Sequence, residues 1–103
     1  MAAALIARIG TLPAGPVVDL GCGRGEFLEL LRAAGIEAWG VEGNANAVRE
    51  CREKGLDVVQ GDLVEFLRER APGSLGGVFA AQVVEHLTPP VLSALLTEAH
   101  RTL

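Results

Sequence analysis

Residues suited to chemistry fall into four short clusters. Asp19, Gly21, Gly23 and Gly25 alternate along "DLGCGRG", Glu42, Gly43 and Asn44 follow "AWGV", Gly61 and Asp62 follow "LDVVQ", and Gln82 to His86 read "QVVEH". Glycines in a tight turn let main-chain N–H groups approach a ligand where a Cβ would block them. A carboxylate accepts paired hydrogen bonds from hydroxyl or amino groups, and a histidine beside a glutamate can move a proton near neutral pH. Strand-to-helix turns use the same residue types for purely local reasons, so the surrounding elements have to decide what the clusters are for.

Apolar runs at Val17 to Leu20, Ala38 to Glu42, Leu56 to Gln60 and Gly77 to Gln82 read as four strands. Between them lie helical patterns. Phe27, Leu30, Leu31 and Ala34 form one apolar stripe that stops at Gly35; Asn44 caps a helix carrying Ala47, Val48 and Cys51 and closed by Gly55. Asp62 and Glu65 have capping-box spacing ahead of Leu63, Phe66 and Leu67, and Val91 to Leu103 form a last helix behind Pro89 and Pro90. Ala2 to Ile9 reads as a short leading helix. Strands alternating with helices predict a doubly wound parallel α/β sheet, and such sheets bind ligands beyond the carboxyl ends of their strands. All four clusters fall at that end.

Composition narrows the partners. The 103 residues carry 9 basic and 13 acidic side chains, a formal charge of −4, and no Lys/Arg cluster of the kind that binds a phosphate backbone, so no nucleic-acid partner is expected. The apolar start is broken by Arg8 and lacks a basic leader, which fits neither a signal peptide nor a membrane span and predicts a cytoplasmic protein. Cys22 and Cys51 form no CxxC and have no histidine at ligand spacing, so no metal is expected and both read as small hydrophobes.

The glycine turn excludes two ligand classes in turn. A phosphate-binding P-loop needs a second glycine and a lysine where this chain has Glu26 and no lysine nearby. The dinucleotide fingerprint again puts Glu26 at its third glycine, next to a pyrophosphate, which leaves a nicotinamide-dependent oxidoreductase fragment only as an alternative.

The remaining pattern, Asp19-x-Gly21-x-Gly23-x-Gly25, resembles the first motif of the class I S-adenosylmethionine-dependent methyltransferases, which have a Rossmann-like doubly wound sheet. From Val17 onward the resemblance continues in order through "WGVE" ending at Glu42, "GD" at Gly61 and Asp62, and "QVVEHLTP" from Gln82. It implies S-adenosyl-L-methionine as cofactor, bound by Asp19, Gly21, Cys22, Gly23, Gly25, Glu42, Gly43, Asp62, Leu63 and Gln82. Asp19 orders the turn and sits near the methionine amino group, Glu42 accepts the ribose hydroxyls, Asp62 and the N–H of Leu63 meet the adenine, and Gln82 lies against the methionine portion. His86 is the candidate proton acceptor; the rival role for the Glu85–His86 pair is to hold the loop after the fourth strand.

Within that superfamily, "DLGCGRGEFLELL", "GLDVVQGDL" and "AAQVVEHL" look most like bacterial methyltransferases of surface-polysaccharide (O-antigen) synthesis. The acceptor class so implied is a saccharide or a small molecule. Relatives carry "FDxV" at the fourth strand where this chain has Gly76-Gly77-Val78-Phe79, so local packing there is not specified by the resemblance. They also continue into three more strands, so residues 1–103 are expected to form the N-terminal portion of the domain. The fourth strand is then an open apolar edge through which a homo-oligomer could form. A noncatalytic interaction domain is the second alternative.

Overall fold

Strand, turn and helix alternate in the order the apolar pattern predicts. The computed structural model describes residues 15–80 and 83–103; the expected helix over Ala2 to Ile9 and the candidate Gln82 lie outside these. In chain order the elements are β1 (Val17–Leu20), α1 (Glu26–Ala33), β2 (Ala38–Glu42), α2 (Ala45–Glu53), β3 (Val58–Gln60), α3 (Leu63–Arg68), β4 (Gly77–Phe79), a 3-10 turn (Val84–His86) and α4 (Pro89–Thr102).

The described strands are all parallel, in the order β3-β2-β1-β4. The chain moves outward from β1 through β2 to β3 and then crosses back to pair β4 with the other side of β1. This reversal leaves a crevice at the carboxyl ends of β1 and β4, where neighbouring loops diverge. Among the described residues no helix is long and apolar enough to cross a membrane.

Local signals set the helix ends. Asn44 accepts from the Ala47 N–H and Asp62 from the Glu65 N–H, each with its oxygen about one hydrogen bond away at 3.0 and 2.9 Å. The capping box is one-sided, because the Glu65 carboxylate pairs with Arg68 instead of reaching back. Pro89 and Pro90 are the first residues of α4 rather than its approach, as suits residues with no N–H to leave unpaired. Strand β3 starts two residues later than expected, although Leu56 is buried.

The helices cover the sheet in two layers. Val18, Leu20, Val41, Val78, Ala80 and Leu75 pack with Val64, Phe66 and Leu67 of α3 and Leu95 and Ala99 of α4. On the other face, Cys22, Leu28, Val48, Cys51, Leu56 and Val58 form a smaller cluster under α1 and α2. Both cysteines are free and buried there, serving as small hydrophobes.

One expectation is overturned in α1. Its buried anchor is Leu28, 2% exposed, while Leu30 stands 67% exposed and Ala34 is also exposed. The helix carries leucines at 28, 30 and 31, so two overlapping stripes were open to it. Gly40 in β2 decides between them: a Cβ there would lie 2.7 Å from Leu28 Cδ1 and 2.6 Å from Cys22 Sγ. The bare backbone is the seat on which Leu28 docks. In α3 a similar change of phase buries Val64 and leaves Leu63 half-buried toward the strand ends.

Candidate functional site

Backbone geometry shapes the turn after β1. Gly21, Gly23 and Gly25 all have positive φ (73°, 56° and 87°), so the chain winds through left-handed conformations that side chains resist. Gly21 and Cys22 donate their N–H groups to Val41 O at 2.8 and 3.2 Å, and Gly25 donates to Cys22 O at 3.0 Å. Gly25 begins α1 with no side-chain cap. A Cβ on it would meet Leu56 Cδ1 at 2.5 Å and Cys51 Sγ at 3.0 Å, so it is buried against the α2–β3 loop.

Glu42 ties this turn to the next one. Its Oε1 accepts from Gly23 N–H at 2.9 Å and its Oε2 from Asn44 N–H at 3.0 Å. The role of ordering the turn, expected of Asp19, therefore belongs to Glu42. No donor among the described residues meets the Asp19 carboxylate, which is 4% exposed. Burial, then the nearby charge of Glu42, push its pKa up to about 7, because removing a carboxylate from water disfavours its charged form.

Two cavities flank the glycine turn. The larger, about 560 Å³, is lined by Gly21, Gly23, Glu42, Gly43, Gly61, Asp62, Leu63, Val83, Glu85 and His86. Three of the four sequence clusters thus meet in one cleft with the turn of the first. The smaller, about 320 Å³, shares Gly21 and Gly23 and adds Asp19, Cys22, Glu26, Phe27 and Phe79. Cys22 and Asp19 border only this second cavity, and Gly25 borders neither. The Cys22 thiol lies in the apolar cluster under α1, and burial raises its pKa well above the ordinary thiol range.

Sequence reasoning missed the walls made by apolar side chains. Val83 packs so closely over Gly21 that a Cβ there would come within 2.1 Å of Val83 Cγ2. Phe27 and Phe79 stack with ring centroids 4.0 Å apart and planes at 25°. The departure "GGVF" at β4 was the available signal for Phe79, since an aromatic there needs a partner. Glu85 and His86 sit exposed at the rim of the cleft, with Nε2 3.6 Å from Oε1.

This arrangement meets known proteins at the level of family and fold. The family described as "Methionine biosynthesis protein MetW" matches residues 4–102. A ubiquinone biosynthesis O-methyltransferase of Methylococcus capsulatus is 35% identical over 78 residues, which cover 71% of this chain and 33% of that protein. A trans-aconitate 2-methyltransferase of Mycobacterium ulcerans is 43% identical over 63 residues, covering 57% of this chain and 23% of that one. The crystal structure of a SAM-dependent methyltransferase from Archaeoglobus fulgidus superimposes with a TM-score of 0.82 at 40% identity, over 86% of this chain and 40% of that one. The sheet is thus the Rossmann-like methyltransferase fold, and the chain spans a third or less of the length of these curated relatives.

Proposed function

Because the chain belongs to the MetW family, we propose that it forms the S-adenosylmethionine-binding part of a methyltransferase. Glu42 is the observation that carries this reading. Its carboxylate closes the second strand, borders the cleft, and uses one lone pair of each oxygen on backbone N–H groups. The remaining lone pairs are held in a fixed orientation suited to the two hydroxyls of a ribose.

The other residues fit the cofactor end by end. Asp62 spends Oδ1 on the α3 cap and keeps Oδ2 for the amino group of adenine, with the Leu63 backbone beside it. Asp19, buried and unpartnered among the described residues, suits an ammonium group, which would draw its proton off. Gly23 and Gly43, with open space where a Cβ would stand, admit the ligand to the main chain, and a cleft of about 560 Å³ lies within the range of small-molecule sites. S-adenosylmethionine brings an activated methyl group on a sulfonium sulfur, so the protein's task is chiefly to align and enclose. His86, with Glu85 beside it, takes a proton from the acceptor where one must leave.

The acceptor we favour is a small molecule, since the curated relatives are named for ubiquinone biosynthesis and trans-aconitate. A saccharide of surface-polysaccharide synthesis is the narrower reading of the sequence resemblance. Calorimetry with S-adenosylhomocysteine tests the proposal: the chain should bind it, and Glu42→Ala should weaken binding about tenfold or more, the scale of a hydrogen bond to a charged group. Unchanged affinity would remove Glu42 from the site, and a preference for NAD would overturn the methyltransferase reading.

A further inference from the structure

A cavity of about 230 Å³ opens at the other end of the sheet, where the strands begin, on the face covered by α3. Val18 and Leu75 wall it, and Trp39, 38% exposed although its strand neighbour Val41 is fully buried, lines it as well. Helix α3 ends at Arg68. Past that end, Arg70 lies on the cavity with its guanidinium carbon 4.3 Å from the centre of the Phe66 ring.

The Arg70 guanidinium is out of balance with its surroundings. Its Nε is enclosed and has no hydrogen-bond partner. Glu69 Oε1 lies 3.7 Å from Nη2, beyond hydrogen-bond range, on a side chain 71% exposed. The side chain as a whole is 37% exposed, so its outer Nη donors stay open to an incoming acceptor while Nε is held against the protein. A guanidinium is a flat fork of donors matched to a carboxylate, and the exposed pair with Glu69 holds it only weakly.

We propose that this cavity is a second binding site, separate from the cofactor cleft, for a small aromatic carboxylate. The carboxylate meets the Arg70 fork, displacing Glu69, while the ring lies against Trp39 and the apolar walls. The volume is below that of pockets for drug-sized ligands, which limits the occupant to about one ring and its acid group.

Trp39 is the chain's single tryptophan, so its fluorescence reports on the cavity directly. Titration with benzoate should give a saturable change at millimolar concentration, the affinity appropriate to about nine non-hydrogen atoms. Arg70→Met should weaken it about tenfold or more, with Arg70→Lys intermediate. Benzamide, lacking the charge, should not saturate, and excess S-adenosylhomocysteine should leave benzoate affinity unchanged. Where a variant does not fold, methyl chemical shifts of Val18 and Leu75 in the unaltered protein carry the same test. No saturable response, equal binding of benzamide, equal binding to folded Arg70→Met, or competition by S-adenosylhomocysteine would each overturn the proposal. Cyclohexanecarboxylate binding as tightly as benzoate would overturn its aromatic part.

Discussion

The two helical layers cover one sheet with different materials. Under α3 and α4 the packing is built from full-sized side chains, with Leu20, Leu67, Phe66 and Leu95 meeting across the interface. Under α1 and α2 it is thinner: two cysteines, a few branched residues and glycines at positions 25 and 40 that allow side chains onto bare backbone. The thin layer is also the one joined to the glycine turn, through Cys51 Sγ, which donates to Gly23 O at 3.2 Å. Bulk on one face supplies burial, whereas close approach on the other fixes the turn's shape.

That contrast predicts different consequences for substitutions in the two layers. Leu67 is fully buried, so Leu67→Ala should lower stability by about 2–5 kcal/mol in urea unfolding, while the folded variant keeps its affinity for S-adenosylhomocysteine. A large affinity loss in folded Leu67→Ala would erase the distinction. Gly25→Val combines left-handed strain with a contact to Leu56 Cδ1 at 2.5 Å. It should cost roughly 1–3 kcal/mol from each source, and in addition weaken ligand binding by displacing Gly23 from Glu42.

Asp19 borders the smaller cavity beside the glycine turn, and its effect is read through pH. With the folded pKa near 7 against 3.8 for the free side chain, the folded state holds a proton that the unfolded chain has released between those values. Its contribution to stability is therefore fully present below about pH 4 and is lost as pH rises through about 7, by on the order of 4 kcal/mol. Unfolding curves for the protein and for Asp19→Asn should diverge in slope across that window; parallel curves would mean the carboxyl is better solvated than its burial indicates. The smallest effect belongs to Leu30, 67% exposed. Leu30→Ala should change stability by less than about 0.5 kcal/mol, whereas Leu28→Ala should approach the cost of a core deletion.

Legibility in the sequence followed the range of the interactions. Asn44 and Asp62 were readable as caps because each bonds an N–H three residues away. Gly35 and Gly55 were readable as helix ends because a left-handed residue closes a turn within its own neighbourhood. Leu28 was not readable, since its burial depends on Gly40 in the next strand. Nor was the bracing of the glycine turn by Glu42, which follows from the parallel pairing that sets Asp19 opposite Gly40 and brings Glu42 alongside the turn.

By itself the sequence determined the alternation of strands and helices, the parallel class, and the strand ends at which polar residues gather. These rest on apolar periodicity and short-range backbone preferences, which act before any tertiary contact exists. The tertiary structure alone decided which leucine faces the sheet, which carboxylate braces the glycines and which is buried without a donor among the described residues, and where Phe27 finds Phe79. Each of those depends on groups far apart in the chain, whose meeting is specified by packing rather than by local pattern.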